Sequence, residues 1–200
     1  GSMLNLPEGK QTLAEAFQER GYVTAGFVAN PNLKKVFGFD RGFDVYFDSP
    51  VEDTVTLACL RGTWFGQLLM KLLRHQFNWN YENDFAQMNH EVLAWLEKNS
   101  EQRFFLYAHY IDPHIPYDPP ARYHRALARD GWTVGELDAI PQDRLEDLLP
   151  GRRRPAREIE GLRRLYAAEV AYADSLLGRV VAALEKAGRL DRTLIVVTSD

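Results

Sequence analysis

Apolar and polar positions along this chain alternate between two periods. From Thr12 to Arg20, Leu13, Ala14, Ala16 and Phe17 recur at helical spacing. Thr12 stands where an N-cap belongs, Glu15 completes a capping box, and Gly21 supplies the stop. Tyr22 to Ala29 reads as a strand ending at Asn30-Pro31, and Phe43 to Phe47 as a second, short one. Between Val51 and Trp79, Trp64, Leu68, Leu69, Leu72 and Leu73 point to a helix without clear ends. From Asn83 to Asn99, Phe85, Met88, Val92, Trp95 and Leu96 fall on one helical face.

Phe104 to Ile111 is nearly continuous apolar sequence, the pattern of a buried interior strand of a parallel sheet. Asp112 to about Arg157 then carries seven prolines (Pro113, Pro116, Pro119, Pro120, Pro141, Pro150, Pro155) and predicts a long loop or insertion, centred on about 118–157. A helix follows from about Glu158 to Ala187. Its core face is predicted as Leu162, Leu165, Tyr166, Val170, Ala173, Leu177, Val180 and Leu184, with Gly188 as its end. Thr193 to Thr198 reads as the final strand. Short β-branched or aromatic runs alternating with helices predict an α/β fold with a mostly parallel sheet.

Composition adds little to that picture. The 200 residues are 46% hydrophobic and 26% charged with net charge −4, which gives no reason to expect a nucleic-acid partner. No apolar run approaches the ~20 residues of a membrane-spanning helix. A single cysteine, Cys59, excludes an internal disulfide and leaves the compartment open. Gly1-Ser2-Met3 reads as a cloning scar, which sets the domain at residues 4–200 and removes any targeting information from view.

Ligands of open α/β sheets bind beyond the carboxyl ends of the strands. That rule selects Asn30-Pro31, Asp112-Pro113-His114 and Ser199-Asp200. The middle point is the most informative, because two prolines stiffen the turn and suit a histidine that must be aimed. An exposed loop histidine with no role is the competing reading. His109, inside the strand, reads first as a hydrogen-bonded, half-buried residue; His75, His90 and His124 have no partner spacing. Asp200 ends an apolar strand with a carboxylate, the oxygen ligand a hard divalent cation requires in numbers. The run Arg152-Arg153-Arg154 with Arg157, Arg163 and Arg164 is interleaved with acids and reads as a self-neutralising face. Neither a phosphate-binding glycine loop nor a serine-hydrolase elbow occurs.

Taken in order, these segments resemble the sulfatase family of the alkaline phosphatase superfamily. Leu6-Pro7-Glu8-Gly9, Thr12-Leu13-Ala14-Glu15 and Gly21-Tyr22-Val23-Thr24-Ala25 resemble the stretch after the nucleophile region. Phe37-Gly38-Phe39-Asp40-Arg41-Gly42-Phe43-Asp44 is similar to the family's F-G-F-x-x-G-F-D, and Asp112-Pro113-His114-Ile115-Pro116-Tyr117 to its D-P-H-x-P-Y turn. Tyr166 to Asp174, Gly178-Arg179 and Thr193 to Asp200 are similar to the long helix and the strand opening the metal motif.

The resemblance implies an alkaline phosphatase-like three-layer α/β/α sandwich, incomplete in this chain. It implies hydrolysis of a small-molecule or carbohydrate sulfate ester. His114 is then the catalytic residue that contacts the sulfate and assists the leaving group, His109 a substrate-binding candidate, and Asp200 a ligand of a divalent metal, calcium with magnesium or manganese as alternatives. The formylglycine nucleophile is expected upstream, since Cys59-Leu60-Arg61-Gly62-Thr63 lacks the proline and arginine of its motif; Cys59 reads as an unmodified core residue. The chain alone is therefore expected not to turn over substrate, and to self-associate through uncovered surface. Two alternatives stay open: a phosphatase, phosphonate hydrolase or phosphoglycerol transferase of the same superfamily, and a binding module without catalysis.

Overall fold

A computed structural model describes residues 6–7, 9–48, 82–111, 113–142 and 153–199. The chain divides into two compact units, residues 1–109 with 180–200 and residues 110–179. The helix expected between Val51 and Trp79, together with Cys59 and His75, lies outside the described residues.

In the first unit, α1 (Leu13–Gln18) starts as its sequence predicts. Thr12 Oγ1 accepts the Glu15 N–H at 3.0 Å while Glu15 Oε2 accepts the Thr12 N–H at 2.7 Å, so two otherwise orphaned amides are satisfied reciprocally. β1 (Val23–Val28) pairs in parallel with β2 (Val45–Asp48) on one side and β3 (Phe104–His109) on the other, giving the order β2-β1-β3. Five of the six residues of β1 are buried, as its central position requires. Successive residues of β3 point to opposite faces. Phe105 stacks on Phe17 of α1 with ring centroids 4.6 Å apart, while Phe104 meets Trp95 of α2 (Glu82–Asn99) edge-on at 5.7 Å. The sheet of this unit therefore carries a helix on each face. In α2, Met88, Val92, Trp95 and Leu96 are buried, as the helical period predicts.

The segment Phe37 to Asp44 is structural. Gly42, at φ 85°, lies so close to α1 that a Cβ there would meet the Glu15 backbone N, and the Ala14 carbonyl carbon at 2.8 Å. The Thr24 hydroxyl donates to Gly42 O at 2.8 Å and accepts the Asp44 N–H at 2.9 Å. Asp44 in turn accepts the Thr24 N–H at 2.8 Å and the Gln18 side-chain amide at 2.7 Å. The Thr24 amide, outweighing the cost of burial and helped by Gln18, holds the Asp44 carboxyl below its ordinary range. A carboxyl depressed in the folded state contributes stability above its unfolded pKa of about 3.9 and loses it as pH falls through the lower folded value. Asp44→Asn is expected to flatten the acid side of the stability–pH curve, read as the urea midpoint between pH 5 and 2.5. An unchanged acid slope in the variant would contradict this assignment.

The second unit holds α3 (Ala121–Leu127), α4 (Val134–Asp138) and most of α5 (Ala156–Lys186). Trp132, Leu137, Ile140 and Leu165 form a core, with Tyr117, Leu127 and Leu162 packed against it. The stretch expected as loop thus carries two short helices, because Trp132, Leu137 and Ile140 give it apolar surface to bury on α5. The arginine-rich segment is paired with acids as read from sequence: Arg157 with Glu136 at 2.7 Å, Arg164 with Glu160 at 3.1 Å, Arg154 with Glu158 at 3.7 Å.

Three expectations are corrected. β3 is an edge of the described sheet, not an interior strand, with Tyr107 exposed and its other five residues half-buried. On α5 the buried positions are Gly161, Leu165, Ala168, Glu169, Tyr172, Leu176 and Leu184, whereas Tyr166 and Val170 are exposed. Thr193 to Thr198 forms no ladder with any described strand: Leu194 is 87%, Val196 74% and Val197 71% exposed. A β-branched run becomes a strand only when a neighbour takes its amides and carbonyls, and no described element does so.

Candidate active site

The three parallel strands end in register, Val28 opposite both Asp48 and His109. Asn30, just beyond β1, is committed to structure: its Oδ1 accepts the Asn32 N–H at 2.9 Å and caps the 3₁₀ turn Pro31–Leu33. His109 is half-buried at the end of β3, its carbonyl accepting the Ala29 N–H at 3.1 Å. Its ring lies 6.3 Å from that of Tyr107.

His114 belongs to the second unit and is exposed. Its Nδ1 lies 2.5 Å from the carbonyl oxygen of Ile115. A carbonyl can only accept, so Nδ1 carries the hydrogen and Nε2 is left as the ring nitrogen available to a ligand. The chain leaving this turn is clamped. The Tyr117 N–H donates to Gln142 Oε1 at 2.5 Å, and Gln142 Nε2 donates back to Tyr117 O at 2.8 Å. The next amide, Asp118 N–H, donates to Glu169 Oε1 at 2.5 Å. Glu169 is 3% exposed and sits on the buried face of α5.

Tyrosines flank this turn in the sequence, Tyr110 before it and Tyr117 at its exit. The Tyr117 ring meets Tyr166 edge-on at 5.7 Å, and burial, then Glu169 and Tyr166, push its hydroxyl pKa up. Tyr110 is pushed up to about 12, by burial first and Tyr172 second. Both phenols stay protonated across the physiological range and can donate hydrogen bonds.

Of the residues named from sequence, His109 and His114 are described, one in each unit, while Asp112 and Asp200 lie outside the described residues. Among the described residues no group of three His, Cys, Asp or Glu side chains could hold a metal ion. Sequence reasoning passed over Gln142 and Glu169. Glu169 had a usable signal, a carboxylate four residues after Leu165 on the apolar stripe of a helix; Gln142 had none, since its partner is 25 residues away.

The sulfatase family model matches residues 4–200. The chain is 26% identical over 219 aligned positions to mouse iduronate 2-sulfatase, covering 94% of this chain and 39% of that protein. Among solved structures it is similar to the phosphonate monoester hydrolase of Agrobacterium radiobacter, with TM-score 0.57, 20% identity, and coverage of 94% of this chain and 46% of that one. The chain thus spans less than half the length of either relative. The parallel sheet and its flanking helices show an α/β fold, and the second likeness supports its alkaline phosphatase-like form. With the family model spanning residues 4–200, the chain belongs to the sulfatase family.

Proposed function

We propose that this chain is part of the catalytic domain of a metal-dependent sulfuric ester hydrolase acting on a small-molecule or carbohydrate sulfate ester. The observation that carries the reading is His114, exposed on a proline-stiffened turn with Nδ1 committed to Ile115 O, which leaves Nε2 as the other ring nitrogen for a ligand. In its imidazolium form Nε2–H donates to a sulfate oxygen, and it can pass its proton to the ester oxygen as the bond to sulfur breaks. His109 is a further substrate contact in this reading. Asp200 is proposed as one acidic ligand of a divalent cation, calcium with magnesium or manganese as alternatives. Such a cation supplies charge neutralisation at the sulfate oxygens. Among the described residues no group of three His, Cys, Asp or Glu side chains supplies the remaining ligands. The formylglycine nucleophile is proposed to be contributed by sequence upstream of this chain.

The fold shared with a phosphonate monoester hydrolase favours a second reading, hydrolysis of phosphonate or phosphate esters. The discriminating assay compares kcat/KM of the whole gene product on 4-nitrophenyl sulfate and 4-nitrophenyl phenylphosphonate. Preference for the sulfate is expected, with no turnover of either by these 200 residues alone. A clear preference for the phosphonate ester would replace the first reading by the second.

A further inference from the structure

We propose that Gln142 and Glu169 are positioning residues for His114, a role that rests on the reading of His114 given above. Gln142 engages both backbone groups of Tyr117, at 2.5 and 2.8 Å, as a neighbouring strand would. Its own placement is fixed by what precedes it: Ile140 is buried in the core with Trp132 and Leu165, and the Pro141 carbonyl accepts Arg154 Nη1 at 2.5 Å. Glu169 takes the following amide, Asp118 N–H, at 2.5 Å from a helix face whose neighbours Leu165, Ala168 and Tyr172 are all buried.

Few soft torsions separate this clamp from the imidazole. Pro116 lies between His114 and Tyr117 with its φ locked, and Pro113 precedes the histidine. A shift of the Tyr117 peptide is therefore passed to His114 instead of being absorbed. The chemistry of the clamp points the same way. Burying a carboxylate costs several kcal/mol, and an apolar side chain at such a site is often neutral or better for stability. A carboxylate kept there to hold a backbone amide makes sense where the amide's position matters. The side-chain amide of Gln142 is matched in the same sense, since only a group with both donor and acceptor satisfies both backbone groups of Tyr117.

The test is a double-variant cycle in the whole gene product, on 4-nitrophenyl sulfate, with Gln142→Ala, Gln142→Glu, Glu169→Ala, Glu169→Gln and His114→Ala. Gln142→Ala is expected to lower kcat by about 10- to 100-fold while KM stays within about threefold. Combined with His114→Ala it should cost no more than His114→Ala alone, because it acts through that residue. Gln142→Glu keeps the acceptor and loses the donor, and should fall between; it carries the cycle if the alanine variant does not fold. Glu169→Gln keeps an acceptor oxygen and should restore most of what Glu169→Ala removes. In the 200-residue chain, ¹⁵N-histidine spectra should show the His114 Nδ1 signal shifted by Gln142→Ala, with His90 as the unmoved reference. Losses that multiply with His114→Ala, or clamp variants at wild-type rate beside an impaired His114→Ala, would overturn the positioning role and leave the reading of His114 intact. A fully active His114→Ala would remove both.

Discussion

Alanine at position 114 is expected to lower kcat/KM for sulfate ester hydrolysis by the whole gene product by about 10²–10⁴-fold, the range general acid catalysis commonly supplies. The expectation follows from what the turn does to the ring. Nδ1 is bonded to Ile115 O at 2.5 Å, which fixes the tautomer and the ring plane and leaves Nε2 as the working atom. His114→Gln separates two roles, since its side-chain amide can still donate to a sulfate oxygen but cannot deliver a proton. Contact alone predicts that His114→Gln recovers much of the loss. Proton delivery predicts that both variants lose more on an alkyl or sugar sulfate than on 4-nitrophenyl sulfate, whose leaving group needs little help. A His114→Ala enzyme within twofold of wild type on both substrates would remove His114 from the mechanism.

Which parts of this picture were legible in the sequence follows from how local each cause is. The start of α1 was readable because a capping box is written in four consecutive residues, Thr12 to Glu15. The buried face of α2 was readable because Met88, Val92, Trp95 and Leu96 repeat at the helical period. On α5 the same period assigned Leu165, Tyr166 and Val170 to the core; Leu165 is buried, yet Tyr166 and Val170 are exposed and Glu169 is buried in their stead. A small rotation of the stripe is enough to exchange them, and hydropathy alone would not place a glutamate inside. Strand position is less local still. Phe104 to His109 has the composition of an interior strand, but whether a strand has one neighbour or two is decided by other segments. Thr193 to Thr198 has the β-propensity and lacks a neighbour among the described residues. The candidate site divides in the same way. The prolines flanking His114 announce a stiff turn, whereas the Gln142 and Glu169 bonds that hold its exit span 25 and 51 residues. Only the folded chain brings them together.

The largest expected loss of stability comes from Gly161. Intrinsic propensity predicts that Gly161→Ala, inside a 31-residue helix, should stabilise it by about 1 kcal/mol. Packing opposes that gain. A Cβ at this position would collide with Ile140 Cδ1 and lie 2.9 and 3.0 Å from two carbons of the Trp132 ring. Neither neighbour can yield easily, because both are 8% exposed in the core that Leu137 and Leu165 complete, and Arg157 sits 4.2 Å over the Trp132 ring. Overpacking of this kind costs about 1–3 kcal/mol for small insertions, so Gly161→Ala is expected to destabilise by up to about 2 kcal/mol once the propensity gain is subtracted. Gly161→Val adds two further methyls and recovers less propensity, for an expected loss of about 3 kcal/mol or more. Gly178 is the internal control: it lies on the same helix, exposed, with nothing within 4 Å of where a Cβ would stand. Gly178→Ala should therefore gain up to about 1 kcal/mol. Urea midpoints of the three variants decide between the two effects, and a stabilised Gly161→Ala would mean that Trp132 and Ile140 do not pack against the helix as described.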